Sequence, residues 1–128
     1  PWRIGYKFTT IDLETSGGAV GANHATGFSI HLGSTECGEG NPLKPPSTPC
    51  GKPNRPTYRL ETFDPKSSTV ILDIGALLKE TDITVNAPKT ASGCMSFPGD
   101  ADCTAIMNRL GLPFDGHPSA GQKWVRAE

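Results

Sequence analysis

The chain has 128 residues, of which 35% are hydrophobic, and its formal net charge at pH 7 is −1. This length is enough for one hydrophobic core, so we expect a single domain over residues 1–128. The balanced charge argues against a nucleic-acid partner, and no apolar run approaches the roughly 18 residues that a membrane span needs. We therefore expect a soluble protein with no nucleic-acid partner and no membrane span.

A strand is predicted at the start of the chain, where PWRIGYKFTTID alternates in polarity. Trp2, Ile4, Tyr6 and Phe8 share one face of this strand, and their apolar character assigns that face to the core. Small residues and turn formers follow over Ser16–Gly27. Because this segment has no periodic pattern, it is predicted to be a mobile connection.

The segment GFSIHLGST resumes the alternation and predicts a second strand. Phe28, Ile30 and Leu32 share the face that should be buried, and Ser29 and His31 share the opposite face. The polar face of this strand therefore carries a histidine on a rigid element.

A loop is predicted between Cys37 and Pro56, because six of the twelve prolines lie there. Proline lacks a backbone donor and fixes φ, so no central strand runs through this stretch. Beyond it, TYRLETF and STVILDI are each predicted to be strands, and FDPKSS supplies turn residues between them. We expect these two segments to form a hairpin.

Two short helical segments are predicted in the second half of the chain. Asp73 is a candidate N-cap for the helical turn IGALLKE. Asp100 or Asp102 is a candidate N-cap for a second helix, which should end near Gly111 because Pro113 follows. Three apolar residues of this second helix have helical spacing: Ile106, Met107 and Leu110.

The last segment, GQKWVRAE, is predicted to be a closing strand that carries Trp124 inward. Several short strands and few helices predict a mainly β fold. We expect an antiparallel β-sandwich with long disulfide-tied loops and one short helix near the C-terminus.

The four cysteines form two close pairs in the sequence, Cys37 with Cys50 and Cys94 with Cys103. An even number in a loop-rich chain predicts two disulfides and an oxidising compartment. Of the three possible connectivities, the sequential one closes two short loops, each contributing about 2–3 kcal/mol in the entropic model. The alternative is a zinc site with four cysteine ligands, but zinc knuckles have much closer cysteines.

The sequence contains no P-loop, nucleophile elbow, zinc-protease helix, haem-attachment motif or EF-hand loop, so we do not expect an enzyme. His24, His31 and His117 are candidate metal ligands, since imidazole suits copper or zinc. His117 lies in the turn string DGHPS, where an exposed surface role is expected. His24 lies in the predicted mobile connection, whereas His31 lies on a strand that would hold a ligand rigidly.

A set of segments in a fixed order resembles a known family. WRIGYKF is followed by FSIHLGSTEC, a proline-rich stretch with a second cysteine, FDPKSSTVILDIGALL, GCMSFPGDADCTAIMNRLGL and a final QKW. Together they resemble the four-cysteine proteins of the metallo-mystery pair, which include the methanobactin-associated MbnP proteins. The resemblance covers nearly the whole chain, and HLGSTEC and GCMSFPGDADC are its most specific parts.

The resemblance implies a periplasmic, cell-surface or secreted β protein that binds copper. It implies a partner similar to a di-haem cytochrome c peroxidase, which oxidises a tryptophan to kynurenine. On this basis the copper ligands would be His31, His24 and Trp2 or its oxidised form. Family members are about twice this length, so the chain resembles a C-terminal half.

Two other functions compete with copper binding. One is a structural or assembly module of the cell surface, completed by strand addition from the missing N-terminal half or from another chain. The other is a metal or redox enzyme, which is disfavoured because no nucleophile, base or ligand triad is evident.

Overall fold

A computed structural model of the chain describes residues 6–15, 27–38 and 46–128. The chain divides into two compact units. Pro1–Arg55 and Ile83–Cys103 form the first unit, and Pro56–Asp82 and Thr104–Glu128 form the second. The single domain over residues 1–128 stays a prediction.

Most regular structure in the described residues is strand, with two short α-helices. The elements in chain order are β1 (Tyr6–Glu14), β2 (Gly27–Ser34), β3 (Val70–Leu72), α1 (Ile74–Leu78), β4 (Gly93–Cys94), a 3-10 turn (Ala101–Cys103), α2 (Thr104–Leu110) and β5 (Val125–Ala127). No helix among them is long and apolar enough to cross a membrane. The mainly β prediction, with disulfide-tied loops and a short helix near the C-terminus, is confirmed; the packing of two sheets as a sandwich stays a prediction.

The first unit contains a three-stranded sheet in the order β1-β2-β4. β1 is antiparallel to β2, and β4 is parallel to β2. The sheet is therefore mixed, with a long antiparallel pair and one short parallel pair of two residues each. Parallel pairing requires a long crossover, which the segment between β2 and β4 supplies.

The alternation predicted for β2 is confirmed. Phe28, Ile30 and Leu32 have exposed fractions of 1%, 1% and 3%, whereas Ser29 and His31 on the opposite face are partly exposed. Burial of three large apolar side chains on one face fixes which way this strand faces.

The predicted burial of Phe8 is wrong, because 47% of this residue is exposed. The pairing of β1 with β2 shifts between Lys7 and Thr9, which leaves Phe8 as the extra residue of a β-bulge. A bulge interrupts the two-residue alternation, so Phe8 need not share a face with the residues before it. Trp2 and Ile4, which the sequence pattern grouped with Phe8, lie outside the described residues.

The second unit contains a two-stranded antiparallel sheet of β3 and β5. The predicted hairpin is wrong, since residues 57–63 form no strand and β3 pairs with the end of the chain. Thr69 and Glu128 extend this pairing with reciprocal backbone hydrogen bonds of 2.6 and 3.0 Å. The β-propensity of TYRLETF is only a local preference and does not make this segment the partner of β3. The actual partner of β3 is the C-terminal strand β5.

The predicted cap of α1 is confirmed. The Asp73 carboxylate accepts a hydrogen bond of 2.8 Å from the backbone N–H of Ala76. Its other oxygen accepts a 2.7 Å hydrogen bond from the guanidinium of Arg126. The Ala76 N–H, and after it Arg126, hold the pKa of the Asp73 carboxyl below its ordinary value.

The second helix begins and ends as its sequence signals predict. The Asp100 carboxylate accepts a 3.1 Å hydrogen bond from Asp102 N–H and so caps the 3-10 turn that leads into α2. At the other end Gly111 has a φ of +88°. Leu112 N–H donates to the Met107 carbonyl at 2.9 Å and Gly111 N–H to the Asn108 carbonyl at 3.0 Å, which is a Schellman motif.

Trp124 lies inward as predicted, with 6% of the residue exposed. Its indole N–H donates a 2.9 Å hydrogen bond to the Tyr58 hydroxyl, and the two rings meet edge to face with centroids 6.1 Å apart. Burial raises the pKa of Tyr58, and the hydrogen bond from Trp124 opposes that rise. This pairing anchors the irregular segment that contains Tyr58 within the second unit.

Candidate functional site

Both disulfides have the predicted connectivity, Cys37 with Cys50 and Cys94 with Cys103. They close loops with sequence separations of 13 and 9 residues, both in the first unit. All four cysteines are oxidised in this way and none is free, so the alternative zinc site of four thiolates is wrong. Two disulfides fit an extracytoplasmic, oxidising compartment.

Of the predicted copper ligands His31, His24 and Trp2, the structure describes His31. It lies on the solvent-facing side of β2, and its side chain is 31% exposed. The strand register pairs His31 with Thr10 and Ser29 with Asp12, so these four residues share one face of the sheet. The imidazole is therefore held on a regular strand and remains reachable from solvent.

A carboxylate lies beside this imidazole. The Asp12 Oδ1 atom is 3.6 Å from His31 Nε2, which is an electrostatic contact and longer than a hydrogen bond. Ser29 Oγ donates a 2.7 Å hydrogen bond to the same carboxylate oxygen and restrains it. Histidines that bind metals commonly have a carboxylate near the ring nitrogen that does not bind the metal.

The remaining predicted ligands are not brought together by the described part of the chain. His24 and Trp2 lie outside the described residues. His117 is exposed in the second unit, where its backbone pairs with Phe114 through hydrogen bonds of 2.8 and 3.0 Å. Over residues 6–15, 27–38 and 46–128, no three or more His, Cys, Asp or Glu side chains cluster as a metal site. His31 supplies one imidazole donor with a carboxylate neighbour, and imidazole is a ligand type that suits copper or zinc.

Sequence reasoning missed the residues that support His31. Ser96 Oγ donates a 2.7 Å hydrogen bond to the His31 carbonyl and accepts one of 3.3 Å from Gly33 N–H. Asn54 Nδ2 donates a 2.9 Å hydrogen bond to the Gly33 carbonyl. Both side chains come from loops, and the occurrence of Ser96 in the segment GCMS is a sequence signal that could have drawn attention to it.

Comparisons with known proteins agree with the resemblance seen in the sequence. The family model described as MbnP matches residues 1–96. The solved structure of MbnP from Methylosinus trichosporium is similar to this chain, with a TM-score of 0.76 and 28% sequence identity. The similarity covers 98% of this chain and 47% of that one, so the chain spans about half the length of that structure. Curated proteins give no match. Because the family model matches most of its residues, the chain belongs to the MbnP family.

Proposed function

We propose that the chain is a copper-binding protein and not an enzyme, and that His31 is one of its metal ligands. The observation that carries this proposal is the partly exposed imidazole of His31 on a regular strand, 3.6 Å from the Asp12 carboxylate. Metal-bound histidines commonly place their second ring nitrogen near a carboxylate, and imidazole suits copper. His24 and Trp2, or the oxidised form of Trp2, complete the proposed ligand set.

The proposed partner is an enzyme similar to a di-haem cytochrome c peroxidase. A high-valent haem can accept the four electrons that are withdrawn from the indole, while water supplies the oxygen atoms and the bond between C2 and C3 of the ring breaks. Hydrolysis then releases the C2 carbon as formate and leaves kynurenine, which carries a carbonyl and an aromatic amine. These groups would convert Trp2 from an apolar side chain into a neighbour of the metal. The proposed location is the periplasm, the cell surface or the secreted fraction, which the two disulfides support.

Replacing His31 with alanine is expected to weaken copper binding at least about tenfold, because an imidazole ligand is lost. The measurements are copper content of protein purified without added metal and Cu(I) affinity by competition with a chromogenic chelator. The matched control is His117→Ala, an exposed histidine of the second unit, which should retain the copper of the unsubstituted protein. Full copper binding by His31→Ala would remove His31 from the ligand set.

Co-production with a cognate di-haem peroxidase is expected to modify Trp2. Kynurenine formation removes one carbon atom and adds one oxygen atom, and it adds near-ultraviolet absorbance. Intact-mass and peptide mass spectrometry should assign this change to Trp2, and Trp2→Phe should abolish it. Trp124 provides an internal control, because it is buried and engaged with Tyr58. Natively purified, copper-loaded protein with an unmodified Trp2 would contradict this part of the proposal.

A second candidate function is a structural module completed by strand addition. β1 occupies one edge of the sheet among the described strands, and the residues on its inner face, such as Ile11 and Leu13, are only half buried. An edge strand with such a face can pair with a strand of another chain or of the proposed N-terminal half. The copper measurement separates the two functions, since metal-free protein that assembles into polymers would favour the structural module.

A further inference from the structure

The pairing of β2 with β4 stops beside His31. Ser29 N–H donates to the Ser92 carbonyl, and the parallel ladder continues only as far as the pair Ile30 and Cys94. In a regular parallel ladder, the next bonds would join Ser96 N–H to the His31 carbonyl and Gly33 N–H to the Ser96 carbonyl. Neither backbone bond forms here, because Ser96 N–H points to Cys103 Sγ and Gly33 N–H donates to Ser96 Oγ, each at 3.3 Å.

A single hydroxyl group takes over both of these bonds. Ser96 Oγ donates to the His31 carbonyl at 2.7 Å and accepts from Gly33 N–H at 3.3 Å. Ser96 has an exposed fraction of 1%, so water does not compete for these backbone groups. The side chain of Ser96 therefore takes the place of a neighbouring strand for the His31 carbonyl and the Gly33 N–H.

One step further along β2, another side chain again replaces the backbone partner of a regular ladder. The next donor of a regular ladder would be the backbone nitrogen of Pro98, which carries no hydrogen. Asn54 Nδ2 supplies the donor instead, at 2.9 Å from the Gly33 carbonyl, and Asn54 is also buried. Side chains from two separate loops thus complete the edge of β2 next to His31.

This arrangement requires unusual backbone conformations. Ser96 has a φ of +64° and Asn54 a φ of +48°, in the left-handed region that disfavours residues with a Cβ atom. The bulge in β1 lies on the opposite edge of β2, at the same position along the strand. The register shifts there between Lys7, which pairs with Gly33, and Thr9, which pairs with Leu32. Irregularities of this kind concentrate where a side chain must be aimed.

We propose that Ser96 is a positioning residue for His31: its hydroxyl fixes the backbone at His31 and Gly33 and thereby sets the direction of the imidazole. The inference rests on the proposed function in assigning His31 to copper. Asn54 and the β1 bulge hold the same short stretch of β2 from its two edges. The segment GCMS then has a physical role, because Cys94 anchors the strand and Ser96 completes its edge.

The test compares Ser96→Ala and Ser96→Gly in the metal-free and copper-loaded protein. Both variants lack the hydroxyl, but glycine also relieves the positive φ, so Ser96→Gly remains informative if Ser96→Ala does not fold. The control is Asp102→Asn in the same unit, whose carboxylate accepts hydrogen bonds from Ala87 N–H and the Thr90 hydroxyl. This control perturbs a loop of the first unit without removing a bond to β2.

Three readouts are expected to change in both Ser96 variants and to remain unchanged in Asp102→Asn. Amide exchange of Gly33 should become about tenfold faster in metal-free protein, because its acceptor is gone. The imidazole nitrogen resonances of His31 should shift, which a general loss of stability would not cause. Copper affinity should fall about tenfold.

Unchanged Gly33 exchange or unchanged His31 resonances in both variants would overturn the proposal. It would also be wrong if copper affinity stayed the same in both while His31→Ala lost copper, or if Ser96→Gly behaved like the unsubstituted protein. Retention of copper by His31→Ala would instead refute the assignment of His31 as a ligand. The metal-free readouts would then decide by themselves whether Ser96 sets the conformation of His31.

Discussion

Replacing Gly93 with alanine is expected to disrupt the first sheet. Gly93 has a φ of +94°, and an added Cβ would lie 2.0 Å from the Ser29 carbonyl oxygen and 2.5 Å from the Ser29 nitrogen. Those atoms belong to the backbone of β2 and cannot move without breaking the pairing with β4. Strain at a positive φ and the steric clash together should lower the free energy of unfolding by about 3 kcal/mol or more.

Denaturant unfolding with both disulfides intact measures this effect. Gly99→Ala is a matched control, because Gly99 has a φ of +81° but no atom beyond its own residue and its two chain neighbours lies within 4 Å of the position that an added Cβ would take. The control should show only the cost of the backbone conformation, about 1–2 kcal/mol. Equal losses in the two variants would mean that the close approach of β4 to β2 does not contribute to stability.

Removing the Cys94–Cys103 disulfide as the double variant Cys94→Ala/Cys103→Ala is expected to have the second large effect. Both residues are buried, with exposed fractions of 1% and 0%. The bridge closes a loop of 9 residues in sequence separation, for which the chain-entropy model gives about 3 kcal/mol. The variant also loses the sulfur that accepts from Ser96 N–H, so the support of His31 should loosen as well.

The other disulfide provides the comparison for this variant. Cys37→Ala/Cys50→Ala opens a loop with a separation of 13 residues, and the entropic model again gives about 3 kcal/mol. The two double variants should therefore lose similar stability, whereas faster exchange of the Gly33 amide is expected only without Cys94 and Cys103. The same Gly33 exchange in both would contradict a specific link from the second bridge through Ser96 to His31.

Local patterns in the sequence were sufficient for several features. Alternation over GFSIHLGST correctly predicted the buried face of β2 and the exposed position of His31. Asp73 and Gly111 correctly marked a helix start and a helix end, because capping depends on atoms within a few residues. The disulfide connectivity was predictable because both pairs are close in sequence, and ordered motifs over the whole chain indicated the MbnP family.

Tertiary structure alone decided which segments meet. Val70–Leu72 pairs with the end of the chain and not with residues 57–63, since β-propensity does not select a strand's partner. Phe8 is exposed because a bulge, set by pairing with β2, interrupts the alternation that had assigned it to the core. Asp12 and Ser96 reach His31 from distant parts of the sequence, and Asn54 reaches the carbonyl of nearby Gly33. Such contacts arise from the folded chain and leave no local period. The sequence by itself thus determined the buried face of β2, the helix caps, the disulfide pairs and the family, whereas the long-range pairing of strands and loops decided how His31 is held.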